Sequence, residues 1–120
     1  MAAGNFDFVC EQGTTFKHTI TYKDSTDTAI NLAGYSVRMD VRYAKTKNAD
    51  AVVQLNASNS RATVLDASAG QIQLLISSVD TTSLPPGEYF YDLEIANSTT
   101  PPVVERILEG LFTVDGEVTG

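Results

Sequence analysis

The sequence has few of the residues on which disulfides, metal sites and common active sites depend. Its 120 residues include one cysteine, one histidine and no tryptophan. One cysteine excludes an internal disulfide, so the fold is expected to hold by packing alone and to tolerate a reducing cytoplasm. A catalyst or metal site built on the single histidine would need partners from distant parts of the chain.

Basic charge is also scarce, because 8 lysines and arginines face 15 acidic residues, for a net charge of −7. Such a balance repels phosphate backbones and anionic lipid surfaces, so we expect neither nucleic acid nor membrane as a partner. The N-terminus has neither the basic region nor the apolar run of a signal peptide. We therefore expect a protein that acts where it is made or leaves by a route other than secretion.

What the chain does have is strand-type alternation. Between Tyr35 and Tyr43, apolar or aromatic residues alternate with polar ones without a break. A period of two predicts a strand with one buried and one solvated face. Comparable patterns predict further strands at 6–10, 16–22, 52–55, 62–66, 72–76, 87–95 and 103–114. Gly110 is predicted to mark a bulge where the last strand changes its inward face.

These patterns predict a single domain over residues 1–120, with about seven or eight short strands. Ser77 to Leu84 is predicted to be one helical turn, with a capping serine and an acid three residues later. We expect an all-β fold, namely a single immunoglobulin-like antiparallel β-sandwich with one short helical turn; a small barrel is the other all-β possibility. The Cys…Trp…Cys signature of antibody domains is absent, so the likeness would be one of shape.

No catalytic, cofactor-binding or metal-binding residue is predicted. His18 is in phase with the apolar face of its strand, and Cys10 lacks a neighbour that would activate its thiol, so both are expected to be structural. The acidic pairs in the second half of the chain and the Asp24–Asp27 segment are interpreted as solvated charges and a turn. If strands 87–96 and 103–114 form a hairpin, their carboxylates would come together, with Arg38 and Arg106 as compensating partners.

Four residues are predicted to contact a partner: Arg38, Arg42, Phe90 and Arg106. Phe90 lies out of phase with the apolar face of its strand, which is typical of a residue covered by a neighbouring subunit. Arg38 and Arg42 lie on the polar face of theirs. If they point outward unpaired, they would suit an acidic neighbour. If they pair instead with Asp92, Glu94 or Glu105 of the same chain, the strand is scaffold and the binding surface lies in the loops.

Six segments follow one another along the chain: Gln12-Gly13-Thr14-Thr15-Phe16, the run from Ile30 to Arg42, Ala69-Gly70-Gln71-Ile72-Gln73-Leu74, the run from Leu84 to Glu94, Glu105-Arg106-Ile107-Leu108-Glu109-Gly110, and Glu117-Val118-Thr119. In this order they resemble small virion proteins of tailed bacteriophages. In layout they are similar to the N-terminal β-sandwich module of phage upper-baseplate proteins, and the likeness covers nearly the whole chain.

This resemblance implies a non-enzymatic structural protein of the virion, made in the cytoplasm of the host bacterium. Upper-baseplate proteins carry further domains, so a module of this length also suits a tail, neck or capsid-decoration subunit. The implied partners are other virion proteins and copies of the chain itself, without a cofactor. The alternatives are a carbohydrate-binding module that attaches to host glycans through exposed aromatic residues, and an enzyme that acts through paired carboxylates.

Overall fold

A computed structural model describes residues 4–118 of the chain; Thr119, the last residue of the closing motif, lies outside this range. These residues form nine strands and one short helix. These are β1 (Gly4–Asn5), β2 (Phe8–Glu11), β3 (Phe16–Thr21), β4 (Ser36–Arg42), β5 (Ala51–Leu55), β6 (Ala62–Asp66), β7 (Gln71–Ile76), α1 (Ser78–Thr82), β8 (Gly87–Ala96) and β9 (Val104–Asp115).

The strands form two packed sheets. The larger has the order β1-β9-β8-β4-β5, with β2 also on β9, and the smaller has the order β3-β7-β6. β1 and β2 thus lie beside β9, and β8 lies between β9 and β4. This division of the strands between two sheets follows the immunoglobulin-like plan. The predicted all-β sandwich with one short helical turn is confirmed.

Two of the strands pair in a direction that the alternation did not predict. β1 and β2 both run parallel to β9, whereas the other named pairs are antiparallel. Their partners keep one offset, from Gly4 opposite Leu108 to Glu11 opposite Asp115, so they form one edge strand interrupted at residues 6 and 7. Alternation fixes which side chains point inward, but parallel and antiparallel partners satisfy it equally well.

Inward-pointing side chains of the two sheets form one core. Every second residue along β4, β7 and β8 is buried, as the sequence pattern predicts. The largest fully buried side chains are Phe8, Phe112, Leu32, Met39, Leu55, Ile72, Leu74, Ile76, Leu93, Ile95, Val41 and Thr81. All but Thr81 are apolar, so burial of apolar surface is the main source of stability.

The last strand changes its inward face, but not at Gly110. Ile107 is buried before the change, and Phe112 and Val114 are buried after it. The register with β8 shifts opposite Leu93 and Glu94, where Arg106 follows Leu108 as the next partner. The extra residue is therefore Ile107, and the prediction of a bulge at Gly110 is wrong. Gly110 instead permits a close approach: a Cβ there would lie 2.3 Å from the carbonyl oxygen of Phe6.

The helical turn lies where its capping pattern predicts. Ser77 is the N-cap, and its side chain accepts a hydrogen bond from the Asp80 N–H at 3.2 Å. After the two prolines that follow, the hydroxyl of Tyr89 donates back to the Pro85 carbonyl oxygen at 2.6 Å. A tyrosine bonded in this way at the start of the second-last strand is a recurrent corner of immunoglobulin-like sandwiches. Within residues 4–118, no helix has the length and apolar character needed to cross a membrane.

Candidate functional site

The charged residues of the larger sheet gather on the side that faces away from the core. Alternate residues of β4 and β8 point to this side, and the bulge at Ile107 brings Arg106 to it as well as Glu109. We call this surface the outer face. The charged residues that form ion pairs on it, including Lys45 just beyond β4, are Arg38, Asp40, Arg42, Lys45, Asp92, Glu94, Arg106 and Glu109.

Strand register arranges these side chains in rows across the sheet. In one row, Glu94 lies between Arg38 and Arg106. Such a row alternates in charge and is mutually attractive. In this row the negative charge of Glu94 is therefore compensated by an arginine on each neighbouring strand.

The neighbouring row has charges of one sign. Asp92 lies directly between Asp40 and Glu109. Like charges opposite each other on paired strands repel. Burial, and then the charges of Glu94, Asp40 and Glu109, raise the pKa of the Asp92 carboxyl, while Arg106 opposes this shift.

Basic residues on both sides compensate the acidic row. Arg106 reaches both Asp92, with 3.3 Å from Nε to Oδ2, and Glu109, with 3.4 Å from Nη1 to Oε2. Arg42 holds Asp40 at 2.6 Å. The remaining pairs on this face are Arg38–Glu94 at 2.8 Å and Lys45–Glu109 at 3.6 Å. The ion pairs of this surface therefore join four basic and four acidic side chains.

The two arginines of β4 that are predicted to contact a partner both form ion pairs within the chain. Arg38 pairs with Glu94 of the same chain, and Arg42 pairs with Asp40 and donates to the Ala49 carbonyl oxygen at 2.7 Å. Arg38 thus meets the criterion for a scaffold strand, whereas Arg42 pairs with an acid of its own strand that the criterion does not name. Contact of these arginines with a partner stays a prediction.

Phe90 projects from the outer face, as its phase predicts. It is 37% exposed, and it lies opposite Arg42 on one side and Leu111 on the other. It borders a shallow pocket of about 310 Å³ whose lining includes Asp7 and Lys45. Among residues 4–118, Phe90 makes no ring-to-ring contact, so this part of the structure has no aromatic platform around it.

His18 and Cys10 occupy structural positions, as predicted. The His18 ring lies 5.0 Å from Phe8 and 4.7 Å from Phe16, measured between centroids, and burial lowers its pKa. Cys10 is buried, and burial followed by the nearby charge of Glu11 raises the pKa of its thiol to about 11. The thiol therefore stays protonated near neutral pH and is a poor nucleophile.

The carboxylates form pairs and turns. Asp24, in the segment interpreted above as a turn, accepts hydrogen bonds from the Thr28 N–H and from both the N–H and the hydroxyl of Thr26. These bonds lower its pKa and close a turn. In the part of the chain that the structure describes, no three histidine, cysteine or acidic side chains are grouped to hold a metal ion.

One polar cluster was missed by sequence reasoning. Gln12 donates through Nε2 to the Leu84 carbonyl oxygen at 2.9 Å and accepts from the Glu117 N–H at 3.0 Å. Beside it, the buried Thr81 hydroxyl bonds the backbone of Gly13 and Thr14. Two of the segments that carry the phage resemblance, near residues 12–14 and 84–87, therefore meet in space. The sequence offered one sign of this cluster, namely the polar Thr81 inside the predicted helical turn. Its partners Gly13 and Thr14 are distant in the sequence, so no local pattern could identify them.

No protein-family model matches the chain, and no curated protein matches it in sequence. The resemblance to phage virion proteins therefore rests on the motifs and on their order alone.

Proposed function

We propose that this chain is a non-enzymatic structural subunit of a tailed-bacteriophage particle and that it works by protein–protein assembly. A tail, baseplate, neck or capsid-decoration position is compatible with the proposal. Its partners are other virion proteins, with copies of itself as a further possibility. The ordered motifs supply the phage setting, and the chemistry of the described surface supports an assembly role.

The observation that carries the proposal is that residues of the phage-like segments hold the sandwich together. Gln12 and the Leu84 segment clamp one corner of the sandwich, and Tyr89 builds the next. Arg38 and Arg106 are held in ion pairs on the outer face. Residues that carry a resemblance while maintaining architecture are expected of a structural module, since an enzyme family would share the groups that touch its substrate.

The test is the composition of purified particles. Particles of the phage that encodes this chain should be purified by density gradient and analysed by quantitative mass spectrometry. We expect the chain to copurify at a fixed ratio to the major tail or capsid protein, in a number that matches a virion symmetry. A protein found in the infected-cell lysate but absent from the purified particles contradicts the proposal.

A second experiment distinguishes an assembly function from attachment to host sugars. The isolated chain should be compared with its Phe90→Ala and Tyr43→Ala variants for binding to host cell-wall glycans, because these side chains are exposed aromatics in β8 and just beyond β4. Under the assembly proposal, wild type and variants bind equally weakly. Binding by the wild type that either variant abolishes would favour the carbohydrate-binding function instead.

A further inference from the structure

The smaller sheet has an unpaired edge on β3. Its strand order is β3-β7-β6, and no strand among residues 4–118 pairs with the other side of β3. In many immunoglobulin-like sandwiches the first strand takes that position. Here β1 and β2 both pair with β9 in the other sheet. This sheet therefore offers room for a further strand at β3.

An unpaired edge recognises extended backbone by its own chemistry. In an antiparallel pair, alternate residues direct their N–H and C=O groups away from the partner strand. β3 pairs with β7 over six residues, from Phe16 to Thr21, so about half of them present both groups on the open side. A segment that adds as a strand would satisfy these groups, and main-chain hydrogen bonds would supply much of its affinity.

A groove runs beside this edge. It has a volume of about 860 Å³ and lies between the end of β3 and the first half of β9. Ile20, Tyr22 and Leu108 line it and are only partly buried, and Val104 is 42% exposed. Alternate side chains of an added strand would cover these apolar surfaces, which are otherwise in contact with water.

The charge of the edge indicates what kind of segment fits. Between Phe16 and Lys23 there is no acidic residue, whereas Lys17 and Lys23 lie within this stretch. Lys23 pairs with Asp27 at 3.4 Å, and Glu105, Arg106 and Glu109 line the β9 side of the groove. Lys17 is exposed and forms no ion pair with another residue of the described range. In a chain of net charge −7, the outward side of β3 at Lys17 is locally basic. A second copy that added through its own β3 would bring the same basic edge to the contact, so an acidic segment of a different protein is favoured.

We infer that β3 is a strand-addition site, at which an extended, acidic segment of another virion protein pairs with the edge and fills the groove beside it. This inference deepens the proposed assembly function and rests on it. The segment alternates apolar residues, which face the groove, with polar ones. Its acidic residues lie opposite Lys17, where cross-strand pairs interact.

The first test uses a synthetic probe and the full chain. The probe is a peptide of about eight residues that alternates valine with threonine and has glutamate at both ends. We expect its addition to slow hydrogen exchange at alternate β3 amides and to leave exchange at the β5 edge unchanged. A peptide of the same composition with proline at alternate positions lacks the N–H groups that pairing requires and should have no effect.

The second test compares two charge reversals. Lys17→Glu places an acid at the edge, and Lys47→Glu makes the same change in net charge in the exposed loop between β4 and β5. We expect Lys17→Glu to weaken binding of the acidic peptide about threefold to tenfold and Lys47→Glu to leave it unchanged. Circular dichroism and urea unfolding check that both variants are folded.

Several results would overturn the inference. One is protection at β5 or β6 instead of β3, and another is an equal effect of the two reversals. A third is β3 exchange that is already slow in the free chain and that speeds up when residues 1–3 are deleted, since the chain's own N-terminus would then cover the edge. A fourth is concentration-dependent dimerisation that the peptide does not compete with, because a second copy would then be the occupant.

The inference and the proposed function can fail separately. In phage particles that carry Lys17→Glu in this gene, we expect a severalfold lower content of the chain, with normal content for Lys47→Glu. Normal content in both mutants would contradict the strand-addition site and leave the structural role intact. Absence of the chain from wild-type particles would contradict the structural role itself.

Discussion

The Thr81 hydroxyl donates a hydrogen bond to the Thr14 carbonyl oxygen at 2.7 Å and accepts one from the Gly13 N–H at 3.1 Å. These bonds join the helical turn before β8 to the turn between β2 and β3. Thr81 is fully buried, so water cannot replace its hydroxyl. The corner is therefore held by a few buried polar contacts, and their removal should be felt throughout the domain.

We predict that Thr81→Val destabilises the fold by about 2 to 3 kcal/mol, because it keeps the shape but leaves two backbone groups without a partner. Thr81→Ser keeps the hydroxyl and should cost about 1 kcal/mol, for the lost methyl group. Urea unfolding at neutral pH measures both values. Equal costs for the two variants would show that packing of the methyl group, rather than the hydrogen bonds, is what matters at this corner.

We predict that Gly110→Ala is more harmful than Gly34→Ala. A Cβ at residue 110 would meet the Phe6 carbonyl oxygen and the Asp7 side chain, whereas at residue 34 nothing lies within 4 Å. Gly34 has a φ of 80°, so alanine there should cost about 1 kcal/mol of backbone strain. At Gly110 the edge strand must also move, and we expect a loss of about 2 kcal/mol or more.

Hydrogen exchange locates the damage in the Gly110 variant. The Phe6 N–H bonds to the Glu109 carbonyl oxygen at 3.0 Å, so it should exchange much faster in Gly110→Ala and remain protected in Gly34→Ala. If the Phe6 amide exchanges as in the wild type in both variants, the close approach of residues 6 and 110 is not important for holding the edge strand.

We predict that Arg106→Met costs more stability than Arg38→Met. Arg106 compensates two carboxylates, both of them in the acidic row, while Arg38 compensates Glu94 alone. Exposed ion pairs contribute up to about 1 kcal/mol, so we expect a difference of about 0.5 kcal/mol between the variants. Unfolding in about 1 M salt should shrink it, because salt screens surface charges. A difference that persists in high salt would point to packing of the arginine stem.

We predict that Asp92→Asn alters how stability depends on pH. The folded structure raises the pKa of Asp92 above its ordinary value of 3.8, so the folded state binds this proton more tightly than the unfolded state does. Stability from this group is therefore present below the unfolded pKa and is lost as the pH rises through the folded pKa. Relative to wild type, Asp92→Asn should gain stability as the pH rises from about 3 to about 7.

The control for that experiment is Asp50→Asn, which removes one negative charge from an exposed loop position. Urea unfolding across the pH range gives the difference in free energy for each variant. The Asp92 curve should climb towards neutral pH more than the Asp50 curve. Parallel curves would mean that total charge, and not the acidic row around Asp92, governs the dependence.

The alternation of side chains allowed much of the fold to be predicted. It placed Val37, Met39 and Val41 in the core and Phe90 on the surface, and the capping pattern placed the helical turn after Ser77. Such signals are local: a period of two decides which face of a strand is buried, and a serine followed by an acid satisfies the free amides of a helix start. The sequence also indicated that His18 and Cys10 are structural, because neither has a neighbour that could activate it.

Only the tertiary structure decided which strands are neighbours, and therefore which charged residues lie side by side and form ion pairs. Asp40, Asp92 and Glu109 are far apart in the chain, and strand register alone makes them one row. Register also placed Arg38, Arg42 and Arg106, which the sequence predicts to contact a partner, in ion pairs within the chain. The parallel course of β1 and β2, which leaves the β3 edge unpaired within residues 4–118, carries no local pattern. Pairing depends on contacts between distant segments, and the period of a single strand holds no information about its partner.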